Sequence, residues 1–192
     1  MREFVYFSSK ATTSGNFRDL KKAGRMDIVC HTVIMSFFVS NAIRGDVKLH
    51  LIFYGKPDPP RHLELQITEK NRKFFSKKDI SGLIQRMLYK YKRGKRIEAF
   101  PSCFIEKKSF LDVAQWLAKK KTVYFLDKKG QDLREARIDK DSVFILGDHE
   151  GIPKKEKRVL EKFAKGISLG NVTYFASQSL AILQNELDRR RI

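Results

Sequence analysis

Val143-Phe-Ile-Leu-Gly-Asp-His-Glu-Gly-Ile-Pro153 and Ile167-Ser-Leu-Gly-Asn-Val-Thr-Tyr-Phe-Ala-Ser-Gln-Ser179 follow one pattern. In each, an apolar β-type run ends in a glycine-containing loop that opens a helix. Gly147 and Gly151 permit close backbone approach or positive φ, and Pro153 suits the first turn of a helix. Two such loops at the carboxyl ends of neighbouring parallel strands can build a ligand pocket largely from backbone groups. The second loop is rich in small and hydroxyl residues, which offer donors to a polar ligand at a helix start.

Upstream, the same alternation continues. Phe4–Ser8 reads as a strand, and Ser9 to Gly24 as a long loop rich in Ser, Thr, Gly and Lys, of a length more often functional than connective. Residues 25–43 read as a core helix, apolar nearly all round, with Thr32, Ser36 and Ser40 as its polar stripe. Strands over 47–54 and 63–67 flank a Pro-rich turn, and Asp79 is placed to cap a helix carrying Ile80, Leu83, Ile84, Met87, Leu88 and Tyr91. A helix over 110–118, strands over 122–126 and 143–146, a helix over 153–163, a strand over 166–169 and a final helix to Arg191 complete the chain. This order predicts an α/β fold, a mostly parallel sheet flanked by helices, with residues 1–192 as a single domain.

The chain carries 40 Lys plus Arg against 22 Asp plus Glu, a formal charge of +18, while 42% of its residues are hydrophobic. It therefore builds a core and still needs a polyanionic partner, with nucleic acid the first reading. From Lys73 to Arg96 nine cations meet one acid, Asp79. There Arg86, Lys90 and Arg93 project from the apolar face of their helix, and tyrosines interleave with cations in a way that suits RNA. Arg18, Lys21 and Lys22 form a second group with Arg25, and Arg189 to Arg191 a third. A solvated helix face is the plainer account of any one of these residues. Phosphate contacts give affinity and not sequence choice, so these runs identify a class of partner.

The two cysteines, Cys30 and Cys103, lie in apolar settings without ligand spacing and read as buried thiols of a reducing, cytoplasmic compartment. No membrane span is expected. His149 and Glu150 invite a metal or acid–base reading, but no second His or Cys group accompanies them in sequence, and no metal site is expected. The loops lack the Gly-Lys-Ser/Thr of a phosphate-binding loop, and no Gly-x-Gly-x-x-Gly follows a strand, which weakens ATP and dinucleotide readings.

Taken together, strand, Gly-Asp-His-Glu-Gly-Ile-Pro, helix, Ile-Ser-Leu-Gly, Ser-rich loop and final helix resemble the C-terminal half of the SPOUT methyltransferases. Phe4-Val-Tyr-Phe-Ser-Ser-Lys-Ala-Thr-Thr-Ser14 and Ala23-Gly-Arg-Met-Asp-Ile-Val-Cys30 are similar to the archaeal tRNA pseudouridine N1-methyltransferases within that superfamily. The resemblance implies a C-terminal deep trefoil knot over roughly residues 120–192, binding S-adenosyl-L-methionine. It implies a cofactor pocket made by the loops after Leu126, around Gly147 to Gly151 and from Ile167 through Ser179. It implies that backbone groups of Leu126, Gly147 and Leu169 hold the adenine and ribose there, while Thr173, Ala176 and Ser179 border the methionine part. It further implies tRNA as substrate, methylated at pseudouridine 54, and a homodimer with its active site at the subunit interface, where Ala176, Leu180, Leu183 and Leu187 would supply the contact. Packing within one subunit is the alternative for that stripe. Asp27 is the candidate for handling the departing N1 proton and Arg25 for holding a phosphate or uracil carbonyl, against a purely structural Arg25–Asp27 pair at a helix start. A pseudouridine in ribosomal RNA, or a non-catalytic basic RNA-binding protein, are the alternative functions.

Overall fold

A computed structural model describes all residues, 1–192, and shows one eight-stranded sheet in the order β4-β5-β3-β2-β1-β7-β6-β8. The strands are β1 (Arg2–Ser8), β2 (Val47–Phe53), β3 (Arg61–Gln66), β4 (Ile97–Phe100), β5 (Cys103–Glu106), β6 (Thr122–Asp132), β7 (Ser142–Leu146) and β8 (Lys165–Ser168). The helices are α1 (Met26–Phe37), α2 (Ile80–Tyr89), α3 (Phe110–Ala118), α4 (Lys154–Leu160) and α5 (Ala176–Arg190). β2, β1, β7, β6 and β8 are parallel, and β3, β5 and β4 extend the sheet antiparallel beyond β2.

Strand side chains alternate between two cores, as a two-residue period requires. Phe4, Tyr6, Leu49, Leu51, Tyr124, Phe144 and Leu146 pack under α1, α2 and α5. Val5, Phe7, Ile52, Val123, Phe125, Val143 and Ile145 pack under α3 and α4. Covering on both faces is why β1 and β7 read as near-continuous apolar runs.

Several elements differ from the sequence reading. α1 stops at Phe37, six residues early, where Phe38 turns extended and Val39 N–H bonds Ala42 C=O across a Ser40-Asn41 turn. Of its polar stripe, Ser40 falls beyond the helix and is exposed, while Thr32 and Ser36 are buried and satisfy their hydroxyls on the carbonyls of Ile28 and Thr32 within the helix. The freed Ser36 carbonyl region accepts Gln184 Nε2 at 2.8 Å, which seats α5 on α1. Asp79 does not cap α2 with its side chain; it pairs with Arg86 at 2.9 Å. The β4–β5 hairpin was not legible, because each strand has four residues and the turn between them is Pro101-Ser102.

β6 runs to Asp132, well past the expected Leu126, but it leaves its neighbour in the middle. Leu126 and Gln131 both pair with Ile167, so residues 127–130 bulge away from β8. The return is tight at Gly130, where a Cβ would lie 2.5 Å from the backbone of Gly166 and Ile167. The end of α5 is then clamped to this segment: the Arg190 guanidinium donates to the carbonyls of Leu133, Arg134 and Ala136 at 2.6–2.9 Å. No helix is long and apolar enough to cross a membrane.

Candidate active site at the carboxyl ends of three parallel strands

Because β7, β6 and β8 are adjacent and parallel, the loops that follow Leu146, Leu126 and Ser168 emerge on one edge of the sheet. They enclose a cleft of about 650 Å³, part of it open to solvent. Leu126, Gly147, Gly151, Ile167, Leu169, Thr173, Ala176 and Ser179 all stand in its wall. The glycines keep it narrow. A Cβ on Gly147 would meet the Gly151 backbone at 2.6 Å, and Gly151 and Gly170 have φ of 78° and 103°. α5 starts in the same wall, so its first-turn N–H groups and dipole favour a carboxylate there.

Asp148 fixes the shape of this wall. It is buried, and its Oδ2 accepts from Ser9 N and Ser9 Oγ at 2.8 Å and from Ser8 Oγ at 3.4 Å. Its Oδ1 accepts from Glu150 N at 2.8 Å, closing the loop on itself. Glu150 adds a second tie, to Ser9 Oγ at 3.1 Å and to the Lys10 ammonium, and these partners hold its carboxyl below the usual range. Glu150 is thus spent on the junction with the 9–24 loop. Asp127 contributes another carboxylate to the cleft; burial acts to raise its pKa, but Lys157 at 2.5 Å and the Lys129 N–H hold it below its ordinary value.

Arg25 and Asp27 do not line this cleft. They sit at the start of α1, where Arg25 has φ 63° and follows Gly24 at φ 74°. Two successive left-handed residues, one of them an arginine, are a costly conformation of the kind found at functional positions. Gly24 is obligatory, since a Cβ would overlap Lys10 O at 1.7 Å. The guanidinium grips Asp27 with Nε and Nη2, each at 3.0 Å. That pairing keeps the Asp27 carboxyl below its usual pKa, while both side chains retain access to solvent. Tyr6, whose ring is buried, feels both regions: its hydroxyl pKa is raised by burial and then by the Asp148 and Asp27 charges. Asp27 itself opens on a shallow concavity with Cys30, His31, Lys77 and Lys78.

Of the basic residues, Arg18 and Lys22 line a concavity with Lys10 and Lys56, next to the Ser9–Asp148 junction, and Lys21 is exposed beside them. Arg86, Lys90 and Arg93 are exposed, but two are partly engaged: Arg86 with Asp79, and Lys90 with the Ala99 carbonyl and the Phe100 ring. The stripe Ala176, Leu180, Leu183 and Leu187 is buried within the chain, at most 7% exposed, so it is unavailable to a partner subunit. Its position against α1 is the reason. The exposed apolar residues nearest the cleft are Val172, Tyr174 and Phe175. Tyr6, Ser9, Asp127 and Asp148 were not singled out from sequence. Ser8-Ser9 directly after an apolar strand is a signal for such a junction, but its partner lies 139 residues away.

The whole chain, residues 1–192, matches a family described as "Putative SAM-dependent RNA methyltransferase". A Methanosarcina mazei protein named tRNA (pseudouridine(54)-N(1))-methyltransferase is 36% identical over 98% of this chain and 92% of its own. Proteins of the same name from Methanocaldococcus jannaschii and Thermococcus kodakarensis are 32% and 30% identical, covering 100% and 98% of this chain and 98% and 99% of theirs. Among solved structures, Archaeoglobus fulgidus Nep1 bound to S-adenosylhomocysteine has a TM-score of 0.63 at 17% identity, over 99% of this chain and 98% of that one, a likeness of fold. The full-length family match and the relatives above 30% identity agree with the glycine-lined cleft, and the chain belongs to this family of SAM-dependent RNA methyltransferases.

Proposed function

We propose that this chain methylates N1 of pseudouridine at position 54 of tRNA, using S-adenosyl-L-methionine, in the cytoplasm. The observation that carries the reading is the cleft where three strand-end loops converge, in a chain whose relatives bear that activity in their names. The residues fit the cofactor: Gly147 lets the loop close on the Gly151 backbone, Gly151 puts no side chain into the open space beside it, and Asp127 supplies negative charge in the same wall.

When bound, the cofactor supplies an electrophilic methyl group. Backbone groups of Leu126, Gly147 and Leu169 would hold the adenine and ribose, Gly151 and Ile167 would complete the loops around them, and Thr173, Ala176 and Ser179 would border the methionine part. The protein's work is chiefly positioning, which removes orientational freedom from the reacting pair. Arg25 holds a phosphate or uracil oxygen, and its bidentate grip keeps Asp27 ionised and aimed. Asp27 accepts the N1–H of the base and eases its departure. Arg18, Lys21 and Lys22 track the RNA backbone beside the cleft, with Arg86, Lys90 and Arg93 as an outer face.

The chain acts as one unit, with residues 120–192 as the cofactor-binding part folded in a deep trefoil knot. The tight return at Gly130 and the Arg190 clamp on residues 133–136 support that reading. Two copies form the active enzyme. Arg25 and Asp27 stand outside the cleft of their own chain, and Val172, Tyr174 and Phe175 expose apolar surface at its edge, so a second copy would supply the missing wall. Sedimentation is expected to give twice the chain mass, and a monomer at working concentration would remove the shared site.

Mass spectrometry of tRNA incubated with the protein and methyl-labelled cofactor should show one added methyl on pseudouridine 54, and none on the same tRNA carrying uridine there. No label on the pseudouridine-bearing tRNA, with or without label on ribosomal RNA offered in parallel, would overturn the assignment. Asp27→Ala is expected to preserve fold and cofactor affinity while slowing transfer by about 10²-fold, the low end for a proton-handling group. Unchanged single-turnover rates would remove Asp27 from the mechanism.

A further inference from the structure

In the antiparallel half of the sheet, separated from β6 by β1 and β7, the chain buries an unusual row of polar side chains. His50 on β2 and His62 on β3 are 0% and 1% exposed. Glu64, also buried, is the register partner of His50 across the β2–β3 pair. Each imidazole is oriented from outside by a carboxylate: Glu3 Oε1 lies 2.7 Å from His50 Nε2, and Glu106 Oε1 lies 3.1 Å from His62 Nδ1. The inner nitrogens, His50 Nδ1 and His62 Nε2, face one another at 2.9 Å.

This arrangement poses a proton-counting problem. A neutral imidazole has one N–H and one lone pair. Glu3 is paired with Lys121, and Glu106 with Arg96, so both carboxylates are acceptors and both outer nitrogens donate. Two lone pairs then meet at the inner nitrogens, which is repulsive unless an electron-poor centre lies between them. Either a shared proton or a metal ion meets that need.

Glu64 decides between them. A shared proton has no use for a third donor, yet the ligand atoms of His50, His62 and Glu64 all lie within 4.8 Å of one another. We propose that His50, His62 and Glu64 form a binding site for one divalent transition-metal ion, zinc by preference, with a fourth position left for water. Two imidazoles and one carboxylate suit zinc better than magnesium or calcium. Zn–N bonds near 2.0–2.1 Å place two tetrahedral nitrogens about 3.3 Å apart, a few tenths of an ångström beyond their present separation. The Glu3–His50 and Glu106–His62 contacts are the outer carboxylates that fix tautomer and ring orientation at metal sites.

The charges also close. Glu64 is held by Lys48 at 3.2 Å and Arg96 at 3.1 Å, two single charges on partly exposed side chains. A dication at this site would share the neutralisation of Glu64 with these two cations, which reach solvent and can give way to it. The ion would fasten β2 to β3 away from the transfer chemistry, so the proposal stands apart from the reading of the cleft.

The full chain, stripped with a chelator and titrated with Zn²⁺ against a chromophoric competitor, should take up one ion per chain and melt at a higher temperature. Co²⁺ should give the visible bands of a tetrahedral site. His62→Gln should abolish both signals. Glu106→Gln, which keeps all three ligands, should weaken uptake roughly 10- to 100-fold. His31→Gln with His149→Gln, the two histidines outside the cluster, should leave uptake and bands unchanged. The proposal fails if the stripped wild-type chain binds no ion, in which case the imidazoles share a proton. It fails equally if uptake follows His31 and His149. Should His62→Gln not fold, the wild-type cobalt spectrum and Glu106→Gln carry the decision.

Discussion

The buried Asp148 carboxylate joins the end of β1 to the cleft loop. One oxygen accepts from Ser8 and Ser9 at the end of β1, and the other from Glu150 within the cleft loop. β1 feeds the 9–24 loop, which delivers Gly24, Arg25 and Asp27; the cleft loop delivers Gly147 and Gly151. Hydrogen bonds to a charged group contribute about 1.5–3 kcal/mol each, and an amide left unpaired in a buried setting costs a similar amount. A cluster of this kind can therefore hold a glycine-rich loop that has little packing of its own.

That coupling also explains why the cleft is built so largely from backbone. Gly147 against Gly151 and Gly130 against Gly166 are contacts that a Cβ would forbid. Loops that approach so closely carry few side chains able to fix their own shape, so a few groups do the fixing: Asp148 within the loop, and from outside it Lys157 on Asp127 and Arg190 on the carbonyls of 133–136. The site is a product of the sheet edge and of its clamps together.

Much of this was legible in the sequence, for physical reasons that differ by element. β1 and β7 announce themselves as apolar runs because both faces are covered, and the strand–glycine loop–helix pattern marked the loops after Leu146 and Ser168 as one edge, where the structure opens a cleft. What periodicity could not supply was partnership. Thr32 and Ser36 are polar residues of a core helix whose partners, the carbonyls one turn back, show only once the helix is built. Ala176, Leu180, Leu183 and Leu187 look free for a second subunit until α1 covers them. His50 and His62 are twelve residues apart in sequence and adjacent only because β2 and β3 pair antiparallel in that register. The β4–β5 hairpin was lost beside the basic run of 92–96, where charge masks four-residue strands.

The central claim is that the cleft held by Asp148 is where the methyl donor binds. Calorimetric titration of S-adenosylhomocysteine into the wild-type chain and into Asp148→Ala tests it directly. The account predicts 1:1 binding to the wild type and affinity weakened by about 10-fold or more in the variant, from the loss of about one charge-assisted hydrogen bond's worth of loop order, with the sheet intact by circular dichroism. Equal affinity in a folded Asp148→Ala chain, or no binding to the wild type, would contradict it.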